Sequence, residues 1–191
     1  MFKFFAFLDR MKYIKRWSLM RSVREENIME HSEQVTVLAH ALCLIKNKMF
    51  GESLDEKKVL TYAMYHETGE VITGDLPMPI KYFNPEIKSA YKALEETAEK
   101  RLLNMLPEEL KEDYTSFVLA DTESPEYAVV KLADRLSAYL KCVEEVKAGN
   151  SEFKKAKTSI GKELKANPEK ALKYFMENML PAYELTLDEL D

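Results

Sequence analysis

Glycine and proline are scarce in this chain, 5 and 7 of its 191 residues, which argues against a fibrous or disordered polymer and favours a helix-rich globular protein. Cysteine is scarcer still. Cys43 and Cys142 sit inside apolar helical patterns with no motif between them, so they supply no disulfide framework and read as reduced core residues of a cytosolic protein. Long apolar runs are also missing. Met1 to Leu8 is too short to span a bilayer, and the charged Asp9, Arg10, Lys12, Lys15 and Arg16 follow it in the wrong order for a signal peptide. The expected location is the cytoplasm, with no membrane partner. Nor is there an excess of positive charge. A formal net charge of -5 argues against a nucleic-acid duplex as partner, whereas a small phosphorylated ligand needs only one or two local cations.

What is present is 46% hydrophobic and 32% charged residues, enough for one domain over residues 1–191 with its own core. The apolar residues recur at three- and four-residue steps, as in Val35, Leu38, Leu42, Ile45 and again in Val129, Leu132, Ala133, Leu136, Leu140. No stretch alternates like a strand, so the fold class is all-α. Phe2, Phe5 and Leu8, followed by Met11 or Lys12, predict a first amphipathic helix docked by its apolar side. Ser53 with Glu56 predicts a capping box, Asn84-Pro85 and Ser124-Pro125 predict further helix starts, and Gly74 to Pro79 predicts a rigid non-helical loop.

The chemistry concentrates at Tyr65-His66-Glu67-Thr68-Gly69-Glu70, where a histidine and two carboxylates end an apolar helical pattern. Neighbouring His and Glu can offer one nitrogen and one oxygen to a single cation, and Glu70 lies one turn beyond His66. A zinc-protease His-Glu-x-x-His reading fails because Glu70 replaces the second histidine. His31 shares the inward stripe of the preceding helix, where a satisfied core histidine is the plain alternative. Asp134 lies beside the apolar stripe of a later helix, where it needs a positive partner, either a metal or a salt-bridging side chain. Together His31, His66, Glu67 and Asp134 offer two nitrogens and two carboxylates, a set that suits Mn, Co, Fe, Ni or Zn better than Ca. Arg16 beside Trp17, the only tryptophan, could hold a phosphorylated sugar or simply plug the core.

These residues resemble the HD-domain phosphohydrolases, whose signature is a His, a His-Asp doublet and a distant Asp on helices around one metal. The closer likeness is to 5'-deoxynucleotidases of the YfbR type. It rests on Lys15-Arg16-Trp17, Leu19-Met20-Arg21, Glu30-His31-Ser32, Gln34-Val35, Ala63-Met64-Tyr65-His66, Glu70 through Pro77, Lys81-Tyr82-Phe83-Asn84, Ala133-Asp134, Ala138 through Cys142 and Leu187-Asp188-Glu189. The resemblance implies a helical bundle, a homodimer and release of phosphate from a deoxyribonucleoside 5'-monophosphate. It implies Glu70 as the group that orients or deprotonates water, Arg16 and Lys81 as phosphate contacts, Trp17 as a wall against the sugar and Asp75 as its hydrogen-bonding partner. For Asp75 a turn-forming role before Leu76-Pro77 is the other reading. The chain departs from the pattern once. Its doublet is His66-Glu67, so the alternatives are an HD hydrolase of another nucleotide and a weakened nucleotide-binding module.

Overall fold

The computed structural model describes residues 1–81 and 83–191; Tyr82, part of the resembling text, lies outside the described residues. Among these the secondary structure is helical, and the only β pairing is a single antiparallel bridge between Lys15 and Asn27. Helix α1 (Phe4–Leu8) runs into a 3-10 turn. Met11 is buried as expected, whereas Phe2 and Phe5 are exposed and Phe4 docks instead, against Leu102, Leu103, Leu106 and Val118. Phe4 and Met11 stand seven positions apart, two helical turns, so the buried stripe keeps the helical period.

Helix α2 (Ile28–Phe50) is the central column. The Asn27 side chain accepts the amide protons of Met29 and Glu30, and Gly51, at φ 73°, ends the helix in a left-handed turn. Its Val35, Leu38, Ala39, Leu42 and Cys43 are buried against α3 (Glu56–Tyr65) and, further on, α8 (Pro125–Lys147). The cap of α3 is Asp55 rather than Ser53. The Asn47 side chain pins both backbone groups of Leu54, at 2.9 and 3.0 Å, so the helix starts two residues later and Asp55 accepts the Lys58 amide proton. Two short helices follow, α4 (Glu70–Thr73) and α5 (Met78–Lys81). The expected rigid loop is therefore extended only from Gly74 to Pro77. Pro79 sits in the first turn of α5, where its missing N–H costs nothing.

Helix α6 (Pro85–Leu103), capped by Asn84, and α7 (Glu108–Val118) complete one flank. Helices α9 (Lys154–Ala166) and α10 (Lys170–Asn178) close the other. The apolar interior falls into two clusters. The larger joins α2, α3, α8, α9 and α10, and the smaller holds Phe4, Leu102, Leu103, Leu106 and Val118. Tyr62 and Ala63 belong to the first, whereas Tyr65 and Ile72 pack on the second. His66 to Glu70 therefore lie in the seam. No described helix is long and apolar enough to cross a membrane.

One buried ion pair anchors the irregular segment after α1. Glu145 of α8, 1% exposed, accepts from Lys141 Nζ at 2.6 Å, from the Val23 and Arg24 amides at 2.8 and 3.2 Å, and from Asn150 Nδ2 at 2.8 Å. Burial opposes its charge, yet Lys141 and these donors pull its carboxyl down to about 2. A folded-state value below the usual 4.5 means that its stabilisation is complete above that value and fades as pH falls toward 2. Glu145→Gln leaves the Lys141 ammonium buried without its counter-charge and is expected to lower stability by roughly 3 kcal/mol, read as a lower urea midpoint. The gap from wild type will narrow between those two pH values, and a pH-independent gap would rule out the charge as its source.

Candidate metal centre

Three helices and one turn bring four side chains together. His31 lies in the first turn of α2, His66 caps the C-terminal end of α3, Glu67 follows in the turn toward α4, and Asp134 comes from the middle of α8. One ligand atom from each falls within 4.8 Å of all the others. Asp134 Oδ1 is 3.2 Å from His31 Nε2, and Glu67 Oε1 is 3.2 Å from His66 Nε2 and 3.7 Å from His31 Nε2. Both Nε2 atoms are buried without a hydrogen-bond partner.

The far side of each ring explains why. His66 Nδ1 is 2.7 Å from the Ala63 carbonyl, which can only accept, so the proton sits on Nδ1. Ser137 Oγ donates its proton to Gln34 Oε1 at 2.6 Å and must therefore accept from His31 Nδ1 at 3.0 Å. Each neutral ring is left with its Nε2 lone pair aimed at the cluster, which is the tautomer a divalent cation requires. The residues fit a metal: two orphaned nitrogens and two carboxylate oxygens converge on one point.

The electrostatics differ between the two rings. Burial, followed by the nearby Arg16 cation, lowers the His31 pKa. Burial opposes charge on His66, but Glu67 and Asp134 raise its pKa overall. Burial also opposes charge on Asp134, while His31 and the Lys131 ammonium hold its carboxyl well below the ordinary range. Glu70, 6% exposed, behaves oppositely. Burial and the Glu67 and Asp75 carboxylates push it up to about 11.

Two openings reach this cluster. A cavity of about 550 Å³ has Glu67, Glu70 and Asp134 at its floor and Arg16, Trp17, Asp75 and Lys81 on its walls. Arg16 Nη1 bonds Glu26 at 2.7 Å, and Lys81 Nζ bonds Glu95 at 2.9 Å. Burial raises the Asp75 pKa, partly offset by Arg16. The Trp17 ring lies 5.3 Å from the core Phe153 ring, and the residue also lines the cavity. A second cavity, of about 320 Å³, reaches His66, Glu67 and Glu70 between Tyr62, Phe117 and Tyr127.

A family model described as 5'-deoxynucleotidase YfbR-like matches residues 3–183. The chain belongs to this YfbR-like family. It is 54% identical over 188 residues to a 5'-deoxynucleotidase of Vibrio cholerae, covering 98% of this chain and 97% of that one. It is 49% identical to 5'-deoxynucleotidase YfbR of Salmonella typhi, covering 98% and 94%. An HD-domain phosphohydrolase from Listeria innocua has the same fold, with a TM-score of 0.83 at 20% identity over 95% of this chain and 88% of that one. The cyanophage S-2L HD phosphohydrolase DatZ, bound to dA and one catalytic Zn2+ ion, superposes with a TM-score of 0.66 at 19% identity, covering 92% and 95%.

Glu67, the one departure noted from the resembling His-Asp signature, places a carboxylate oxygen 3.2 Å from His66 Nε2 and 3.7 Å from His31 Nε2. Sequence reasoning missed Gln34, Ser137 and Lys131. Lys131 Nζ lies 3.1 Å from Asp134 Oδ2, and the residue lines both openings. Each of the three stands three positions from a cluster residue on the same helix, which was the available signal.

Proposed function

We propose that residues 1–191 form one phosphohydrolase domain that releases phosphate from deoxyribonucleoside 5'-monophosphates. His31, His66, Glu67 and Asp134 would hold one divalent transition metal (Co, Mn, Zn, Fe or Ni). The carrying observation is the pair of buried, partnerless His Nε2 atoms facing two carboxylates at the floor of a cavity of nucleotide size. When bound, the cation supplies a Lewis acid for the phosphoryl oxygens and lowers the pKa of water beside it.

The remaining work belongs to the side chains. Arg16 keeps most of its donors free of Glu26 and holds the phosphate through them. Lys81, tied to Glu95, adds positive potential to the same wall. Glu70 orients the attacking water and takes its proton as the water oxygen bonds to phosphorus; the 5'-oxygen leaves with the electron pair of the broken bond and takes up a proton from solvent, giving the nucleoside hydroxyl and phosphate. Asp75 accepts from a sugar hydroxyl. The Trp17 ring packs on the deoxyribose, where a ribose 2'-hydroxyl meets its bulk. The proposed working form is a cytoplasmic homodimer.

Phosphate release with added Mn or Co tests this reading. Deoxyribonucleoside monophosphates are expected to be cleaved, with ribonucleotides disfavoured by roughly 100-fold in kcat/KM. Cleavage of triphosphates with the monophosphates inert would overturn the substrate assignment.

A further inference from the structure

The two residues assigned to phosphate and sugar are adjacent in the chain, and one carboxylate holds both. Arg16 Nη1 and Trp17 Nε1 donate to the same oxygen of Glu26, Oε2, at 2.7 and 3.1 Å. The Arg16 and Glu26 side chains are 14% and 13% exposed. Backbone bonds brace the same place, from the Arg16 amide to the Glu26 carbonyl at 2.9 Å and from the Ile28 amide to the Ile14 carbonyl at 3.0 Å. Trp17 needs such bracing. It has φ 57°, the only positive φ at a described non-glycine residue, and a bulky side chain enters that region only when its surroundings hold it there.

The shared oxygen also decides what each side chain can offer. An indole has one donor and no acceptor, so with Nε1 spent on Glu26 the Trp17 ring presents only apolar face and edge to the cavity. Its discrimination is steric, and it depends on the ring staying in place. Arg16 gives up one of five donors and keeps a fork for a phosphate. Phe153 limits the ring from behind but supplies no polar restraint.

We propose that Glu26 is a positioning residue that sets deoxyribose selectivity by fixing Trp17 and Arg16 in one posture. The proposal rests on the substrate roles given to those two residues above. Glu26→Ala is expected to lower the deoxy-over-ribo ratio of kcat/KM by roughly ten-fold and to raise KM more than it lowers kcat. Glu26→Gln is expected to restore most of the ratio, because both bonds end on one oxygen and an amide carbonyl can accept both. Trp17 is the only tryptophan, so its emission reads the posture directly. In Glu26→Ala the emission should shift to the red and become easier to quench with acrylamide, and in Glu26→Gln it should stay near wild type.

If Glu26→Ala does not fold, Glu26→Asp withdraws the oxygen by one methylene and should move the same readouts in the same direction. Trp17→Ala separates the two readings. A collapse of the ratio in Trp17→Ala with no change in Glu26→Ala overturns the positioning role alone. An unchanged ratio in Trp17→Ala overturns the substrate role of Trp17 and the proposal with it.

Discussion

Glu67→Ala is expected to lose metal and turnover together. The Glu67 side chain brings a carboxylate oxygen within 3.2 Å of one histidine Nε2 and 3.7 Å of the other, and no other described carboxylate joins the cluster except Asp134. Removing it leaves two nitrogens and one carboxylate. Partners outside the coordination shell are each worth about 10–100-fold in metal affinity, so losing a ligand should cost at least about 100-fold. Lewis-acid stabilisation is worth several kcal/mol in the transition state, which converts to roughly 1000-fold or more in rate. Elemental analysis after dialysis and phosphate release measure the two losses independently. Full metal content in the variant would remove Glu67 from the ligand set. Glu67→Asp is the finer probe: withdrawing the oxygen by one methylene from its place between the rings should weaken metal binding. A gain in turnover would show instead that the glutamate impairs the centre.

The all-α class and much of the four-residue cluster were legible from periodicity. His31 and His66 continue apolar stripes and Asp134 lies beside one, while Glu67 followed from its adjacency to His66. The fine structure around them was not legible. The Asp55 cap depends on Asn47 reaching across to Leu54, and the burial of Phe4 depends on its packing against Leu102, Leu103, Leu106 and Val118, far along the chain. The Glu26 contact to Trp17 joins residues nine positions apart in a segment without regular structure, where spacing carries no directional information. Ser137 and Gln34 show the intermediate case. Both stand three positions from a cluster residue, but only the meeting of α2 and α8 shows that their bond to each other decides the His31 tautomer.

Glu70→Gln should produce a different failure from Glu67→Ala, with the metal retained and the chemical step lost. Glu70 lies outside the four-residue cluster, one turn beyond His66, and it borders both cavities. Gly69 precedes it at the start of α4, beside Glu95 and Glu99 of α6. Burial and the neighbouring Glu67 and Asp75 carboxylates favour the protonated form of Glu70 in the metal-free site, and a bound cation would offset those carboxylates and free the Glu70 carboxylate to act as the base. Glutamine preserves the shape and one acceptor oxygen but cannot take a proton. A positioned general base contributes about 100- to 10,000-fold, so kcat should fall within that range while KM changes little. Unchanged metal content beside the lost kcat would separate proton transfer from metal holding. A variant that loses its metal would instead show that Glu70 belongs to the coordination shell, and one that keeps its kcat would leave proton removal to another group at the cluster.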